Sequence, residues 1–196
     1  TKATIYRLLQ SGQFPEHGVD VPVSGSLTYT IDPDAKNWVN FLLYVEGPGG
    51  ASENTGATVI LRCQHTWFFA PPPDVNVCPT APQRSWAAEQ RFERGMMIWI
   101  EAEDGIYVLF DDERYTTGWT WFPDEWDEGD PERDPSLQPP PGLQQPMRGF
   151  GLVWRSHPIV RERLGWAVES EQGFNTTVQR TTRYKYNATY IRAEDG

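Results

Sequence analysis

The sequence is short of the groups on which most recognisable chemistry is built. It has only three histidines, His17, His65 and His157, far apart along the chain, and two cysteines. None of the histidines stands in a metal-ligand spacing such as H-E-x-x-H, so a catalytic zinc site is disfavoured. No G-x-S-x-G elbow, P-loop or G-x-G-x-x-G occurs, and acyl transfer, phosphate and dinucleotide chemistry lack their usual signatures. Apolar runs fall well short of the roughly 18 residues a membrane-spanning helix needs, which predicts no membrane insertion. Lys and Arg form no cluster. With 17 basic against 27 acidic side chains and a net charge of -10, the chain would repel a duplex or an anionic bilayer, so nucleic acid is not an expected partner. At 196 residues it is long enough to bury a core.

What is present points first to an exported protein. Cys63 and Cys78 flank the run Pro71, Pro72 and Pro73; bonded to each other they would stabilise the fold by about 3 kcal/mol through loop closure. A single even pair with no third thiol suits an oxidising compartment. The chain opens Thr1-Lys2-Ala3 with no basic and apolar leader, so export implies a signal peptide already removed. Asn175-Thr176-Thr177 and Asn187-Ala188-Thr189 fit the N-glycosylation acceptor pattern.

From Val19 to Cys63 the hydrophobic period is two. Val19, Val21 and Val23, then Leu27, Tyr29 and Ile31, alternate with polar residues as strands with one wet face do. Residues 39–45 and the β-branched run 58–61 suit central strands, and Pro33-Asp34 and Gly47-Pro48-Gly49-Gly50 punctuate them as turns. Residues 1–79 read as a β-sandwich. Residues 80–196 read as a second, β-rich domain whose clearest feature is the pair of apolar runs 95–101 and 106–110 joined through Asp104-Gly105, a type I′ hairpin signal. Residues 123–146, rich in Pro and acids, form an extended connector because proline lacks the ladder donor. One helix is expected, at 157–164, with Ser156 as its cap, Pro158 in its first turn and Gly165 ending it. The fold class is therefore all-β with one short helix.

The second region carries an internal echo. Trp86-Ala87 followed by Glu89-Gln90-Arg91-Phe92 corresponds to Trp166-Ala167 followed by Glu171-Gln172-Gly173-Phe174, and Ala102-Glu103-Asp104-Gly105 recurs as Ala193-Glu194-Asp195-Gly196. The segments RFERGMMIWIEAEDGIYVL (91–109) and RERLGWAVESEQGF (161–174) resemble aromatic hairpin repeats of exported bacterial surface proteins and, more distantly, the LGFP-type repeats associated with cell-wall anchoring. Leu164-Gly165 matches the LG opening of that motif, and Phe92, Gly95 and Trp99 match its Phe-Gly-aromatic hairpin. The resemblance implies a cell-envelope or extracellular setting and a non-catalytic role.

In the first copy the Asp-Gly turn leads into a return strand, whereas the second ends at the turn. An edge around residues 186–192, including Tyr186 and Tyr190, would then lack a partner. The N-terminal IYRLL, with Ile5, Tyr6, Leu8 and Leu9, resembles the missing strand and could complete its own module or a neighbour's, the latter building homo-oligomers or filaments. The leading expectation is thus a non-enzymatic structural subunit of an extracellular assembly, free of cofactors. A carbohydrate-binding module is the alternative, with polysaccharide or cell wall as partner and Trp119, Trp121 and Trp126 as a stacking platform; Trp38, Trp99 and Trp154, inside apolar runs, read as core. An acid-base hydrolase ranks third, since carboxylates are abundant and none is singled out. Asp127, Asp130 and Asp134 are weak calcium candidates in an acidic loop.

Overall fold

The computed structural model describes residues 1–8, 18–31, 37–75, 77–111, 118–183 and 186–194. Among these residues it is mostly β: ten strands in two antiparallel sheets, with two short α-helices. The chain divides into two compact units, Thr1–Pro82 with Gln179–Tyr190, and Gln83–Val178 with Ile191–Gly196. The tail divides between them, residues 179–190 with the first unit and residues 191–196 with the second.

The first unit is built on strands β1 (Lys2–Leu8), β2 (Val19–Val21), β3 (Trp38–Glu46) and β4 (Ser52–Ile60), in the order β2-β1-β3-β4. Gly49 and Gly50, with φ of 77° and 83°, supply the left-handed backbone that turns β3 back into β4. Among the described residues this is one sheet, not the expected sandwich. The segment with Leu27, Tyr29 and Ile31 joins no ladder; Tyr29 instead accepts a hydrogen bond from the Arg7 guanidinium at 3.1 Å and packs edge-on against Phe41 at 5.3 Å. Alternation here reflects side-chain packing on a sheet, not membership of one. Residues 58–60 also depart from expectation: β4 is an edge strand, exposed along its whole length.

Two buried amides tie the rest of the unit together. Asn37 donates to the Thr182 carbonyl at 3.0 Å and accepts from the Cys78 amide at 2.7 Å. Gln179, fully buried, donates to the Thr66 and Thr80 carbonyls and accepts from the Phe68 amide at 2.6 Å. Because a buried amide left unpaired costs about 1–3 kcal/mol, these bonds fix where the tail runs. Cys63 and Cys78 are disulfide-bonded, with Cα atoms 5.2 Å apart. Tyr190 packs edge-on against Trp67 at 5.1 Å.

The second sheet has strands β5 (Gln83–Phe92), β6 (Gly95–Ile100), β7 (Gly105–Phe110), β8 (Trp119–Pro123), β9 (Gln172–Arg180) and β10 (Thr189–Ile191), in the order β10-β9-β5-β6-β7-β8. The expected hairpin is β6–β7, but its turn is a 3-10 turn, Glu101–Glu103, followed by left-handed Asp104 at φ 45°. Gly105 already belongs to β7, and a side chain there would run into the Trp121 indole. Glycine at 105 therefore serves close packing, not a type I′ turn.

Two helices, α1 (Arg148–Ser156) and α2 (Pro158–Leu164), accompany the sheet where one was expected. Ser156 ends α1 instead of capping α2; His157 occupies the cap position and offers no side-chain bond. Gly165, at φ 76°, ends α2 as expected. Phe150, Val153 and Trp154 of α1 and Val160 and Leu164 of α2 are buried with Ala88, Phe92, Met97, Ile106 and Val108 from one face of the sheet. The Trp154 indole donates to the Gly165 carbonyl at 2.7 Å, so its one polar group is satisfied inside the core. The opposite face has a smaller core of Ala87, Ile98, Ile100, Phe174 and Val178.

The strand-exchange candidates are placed by these ladders. Ile5, Tyr6 and Leu8 lie in β1, hydrogen-bonded to β3 along its length and to β2 over residues 3–5. The N-terminal strand therefore does not complete the β9–β10 end of the second sheet in this chain; Leu9 lies outside the described residues. β10, which includes Tyr190, is nevertheless an edge strand, and Tyr186 is 81% exposed. Trp166-Ala167 does not repeat the position of Trp86-Ala87. It precedes β9, and Ala167 bridges Phe92 and Gln144, while Trp86 sits within β5 opposite Asn175. Asp195 and Gly196, the end of the second AEDG, are outside the described residues.

Candidate functional site

Strand register assembles a site within the second unit that linear spacing conceals. In adjacent strands, directly opposed residues share a face of the sheet. Gly173, Ala88, Trp99, Ile106 and Phe122 oppose one another in sequence across β9, β5, β6, β7 and β8, so they form one row on the face that α1 and α2 cover. The helices fill only part of that face. Beside them the two smallest members of the row, Gly173 and Ala88, leave a hollow, and Trp86 lies across Gly173, where even a methyl group would strike its ring at 2.7 Å.

The result is a cleft of about 440 Å³, within the range of small-ligand sites. Trp86, Ala88, Trp99, Ile106 and Gly173 line it from the sheet, Asp124 and Trp126 from the connector after β8, Arg148, Gly149 and Phe150 from the start of α1, and Glu171 from just before β9. Asp124 is held by backbone geometry on both sides. Its amide donates to the Asp104 carbonyl at 2.9 Å, and its carboxylate accepts from the Trp126 amide at 3.2 Å. The carboxyl lies against Gly149, where a side chain would collide with it. Arg148, the first residue of α1, has φ 48°. That left-handed backbone costs a non-glycine residue on the order of 1–2 kcal/mol, and such strain concentrates at ligand sites. Its guanidinium lies 3.5 Å from the Glu132 carboxylate.

The electrostatics of the cleft are set by desolvation. Burial pushes the Glu171 carboxyl above the usual range, against Arg148, with Asp124 and Glu132 adding to the rise. Burial likewise raises the Asp124 carboxyl; the Trp126 amide opposes this, and Asp104 and Asp127 reinforce it. The indole N–H groups of Trp99 and Trp126 are buried without a hydrogen-bond partner. A buried donor in that condition is costly, and a ligand acceptor would relieve it.

The expected platform divides across the sheet. Trp119 and Trp121 share a face, as their spacing predicts, opposite Leu109 and Tyr107. Trp126 is in the cleft, on the side of Phe122. Trp119 and Trp121 are 56% and 42% exposed, and Trp119 lies 6.1 Å from the Tyr107 ring, so the three indoles cannot stack on one ligand. Of the tryptophans expected in the core, only Trp154 is fully buried; Trp38 is 38% exposed at the start of β3, and Trp99 faces the cleft.

The remaining candidates have structural placements. Asp130 accepts from the Asp127 amide at 3.2 Å, and Asp134 accepts from the amide and hydroxyl of Ser136, which lower its carboxyl below the usual range. The carboxylates of Asp130 and Asp134 thus hold local turns, and among the described residues no group of three His, Cys, Asp or Glu is placed to hold a metal ion. The same acidic stretch is pinned to α1 by Arg155, which donates to the Pro131 and Glu132 carbonyls at 3.0 Å. His157 packs on Phe122 at 4.3 Å, His65 is exposed, and His17 lies outside the described residues. Asn187 uses its amide internally, donating to the Arg183 carbonyl and accepting from Thr181. Asn175 is exposed on β9, opposite Trp86.

No helix among the described residues is long and apolar enough to cross a membrane. Comparison with models of known families, with curated proteins and with solved structures found no match. The resemblance to surface-protein repeats rests on the quoted segments alone.

Proposed function

We propose that the second unit is a saccharide-binding module of an exported protein and takes a pyranose ring in the cleft. One observation carries this reading: Trp86, Trp99 and Trp126 line one cleft together with two carboxylic residues and an arginine, and the indole N–H groups of Trp99 and Trp126 have no hydrogen-bond partner. A sugar is amphipathic in the matching way. Its C–H face packs on indole, and its hydroxyls both donate to carboxylates and accept from N–H groups. A simple apolar ligand would offer nothing to the indole donors or to the two carboxyls. The disulfide supports an extracellular setting.

Tryptophan fluorescence titration against a panel of oligosaccharides tests the reading. Trp86→Ala and Trp126→Ala should each weaken binding about three- to tenfold, since stacking on one aromatic ring is worth roughly 0.5–1.5 kcal/mol. Trp119→Ala and Trp121→Ala should leave it unchanged. Retained affinity in the first pair removes the cleft from the account. Hydrolysis is the second reading, favoured by the two raised carboxyls in one cleft; release of reducing ends in the same titrations, abolished by Glu171→Gln or Asp124→Asn, would identify it. A filament subunit joined by strand exchange has less support, because donating β1 would first break its pairing with β2 and β3.

A further inference from the structure

We infer that the saccharide preferred by this cleft carries a free ammonium group, bound at the Asp124 and Glu171 carboxyls; the inference rests on the saccharide reading above. Two carboxyls and one guanidinium line the cleft, and that guanidinium is shared between the Glu132 carboxylate, 3.5 Å away, and the Glu171 carboxyl, so one positive charge serves several acids. Asp104 and Asp127 lie within electrostatic reach of Asp124, as Glu132 does of Glu171. The chain as a whole carries -10. This field repels uronic and sulfated sugars and draws in cations.

The walls agree with the charge. Indole faces attract ammonium groups through the ring quadrupole, most strongly where water is excluded. Desolvated carboxyls gain most from a cation that arrives with its own donors, because charge-assisted hydrogen bonds are about twice as strong as neutral ones. A quaternary amine without hydroxyls would satisfy the carboxyls but leave the Trp99 and Trp126 indole donors unpartnered. An amino sugar addresses all three groups. It places an ammonium at the acids, a C–H face on the rings and hydroxyl oxygens at the indole N–H groups.

The full chain is titrated calorimetrically with three oligosaccharides of equal length: a β-1,4-linked glucosamine oligomer with free protonated amines, its fully N-acetylated counterpart, and the neutral glucose oligomer. The glucosamine oligomer should bind at least about tenfold more tightly than the other two, the worth of one charged hydrogen bond, and added salt should erode that advantage. Glu171→Gln and Asp124→Asn should each weaken binding of the glucosamine oligomer more than binding of the two neutral oligomers, and so reduce the preference. Equal or tighter binding of the acetylated or neutral oligomer, unaffected by salt, overturns the ammonium inference and leaves the saccharide reading standing. Failure of all three to bind overturns both.

Discussion

The two sheets of this protein spend their hydrophobic residues differently. In the first, β4 is exposed over all nine residues, with Ile60 at 83%, and Ala3, Thr4 and Val39 are the buried residues of its strands. In the second, apolar residues are buried on both faces, and α1 and α2 cover one of them. The first unit relies on cross-links in its irregular segments: the disulfide and the buried amides of Asn37 and Gln179. The second relies on core packing. A cleft needs walls that hold their shape, and among the described residues the sheet backed by a packed core supplies them.

Substitutions in the two sheets should have separate consequences. Trp154→Ala removes a fully buried indole and its bond to Gly165 and should cost about 3–5 kcal/mol. Hydrogen exchange should show lost protection in β5–β8 with β1–β4 unchanged; equal loss in both sheets would mean that they do not respond separately. Replacing Cys63 and Cys78 together by Ser should cost about 2–4 kcal/mol by chemical denaturation, with the loss confined to the first unit. A cost near zero would shift that unit's stability to the amide bonds.

The Glu171 carboxyl titrates above its unfolded range, so the folded state holds a proton that the unfolded state has released. Its contribution to stability therefore falls as pH rises from the unfolded carboxylate range through the raised folded one. Glu171→Gln should flatten that part of the stability profile, and a profile with unchanged slope would contradict the burial described for this group. Ile60→Thr, on the exposed edge of β4, should change stability by no more than about 0.5 kcal/mol. A larger loss in thermal unfolding would show that β4 is covered.

The sequence revealed the elements whose signals are local. The β6–β7 hairpin, the β3–β4 turn, the disulfide and α2 all follow from neighbouring residues. Helix α1 did not, because RGFGLVWRS carries two glycines and no capping side chain; burial of Phe150, Val153 and Trp154 decides its conformation against weak propensity. The cleft was legible only in part. Trp126 and the acids of its loop stood out, and Trp119 and Trp121 were placed correctly on a shared face. Trp86, Trp99, Arg148 and Glu171, however, are spread over more than 80 positions and come together only through strand register. Glu171 and Trp86 appeared in the sequence only as parts of a supposed repeat. The one retrospective signal is the pair of small residues, Ala88 and Gly173, opposite each other on paired strands beside two tryptophans.

The claim that a sugar's hydroxyls satisfy the buried indole donors can be observed directly. In the two-dimensional spectrum of the nitrogen-labelled chain, each tryptophan gives one indole N–H resonance, and an oligosaccharide is added to saturation. The account predicts that the Trp99 and Trp126 indole signals move together with those of Trp86, while the Trp119 and Trp121 signals stay in place. Movement confined to Trp119 and Trp121 would contradict it and place binding on the opposite face of the sheet.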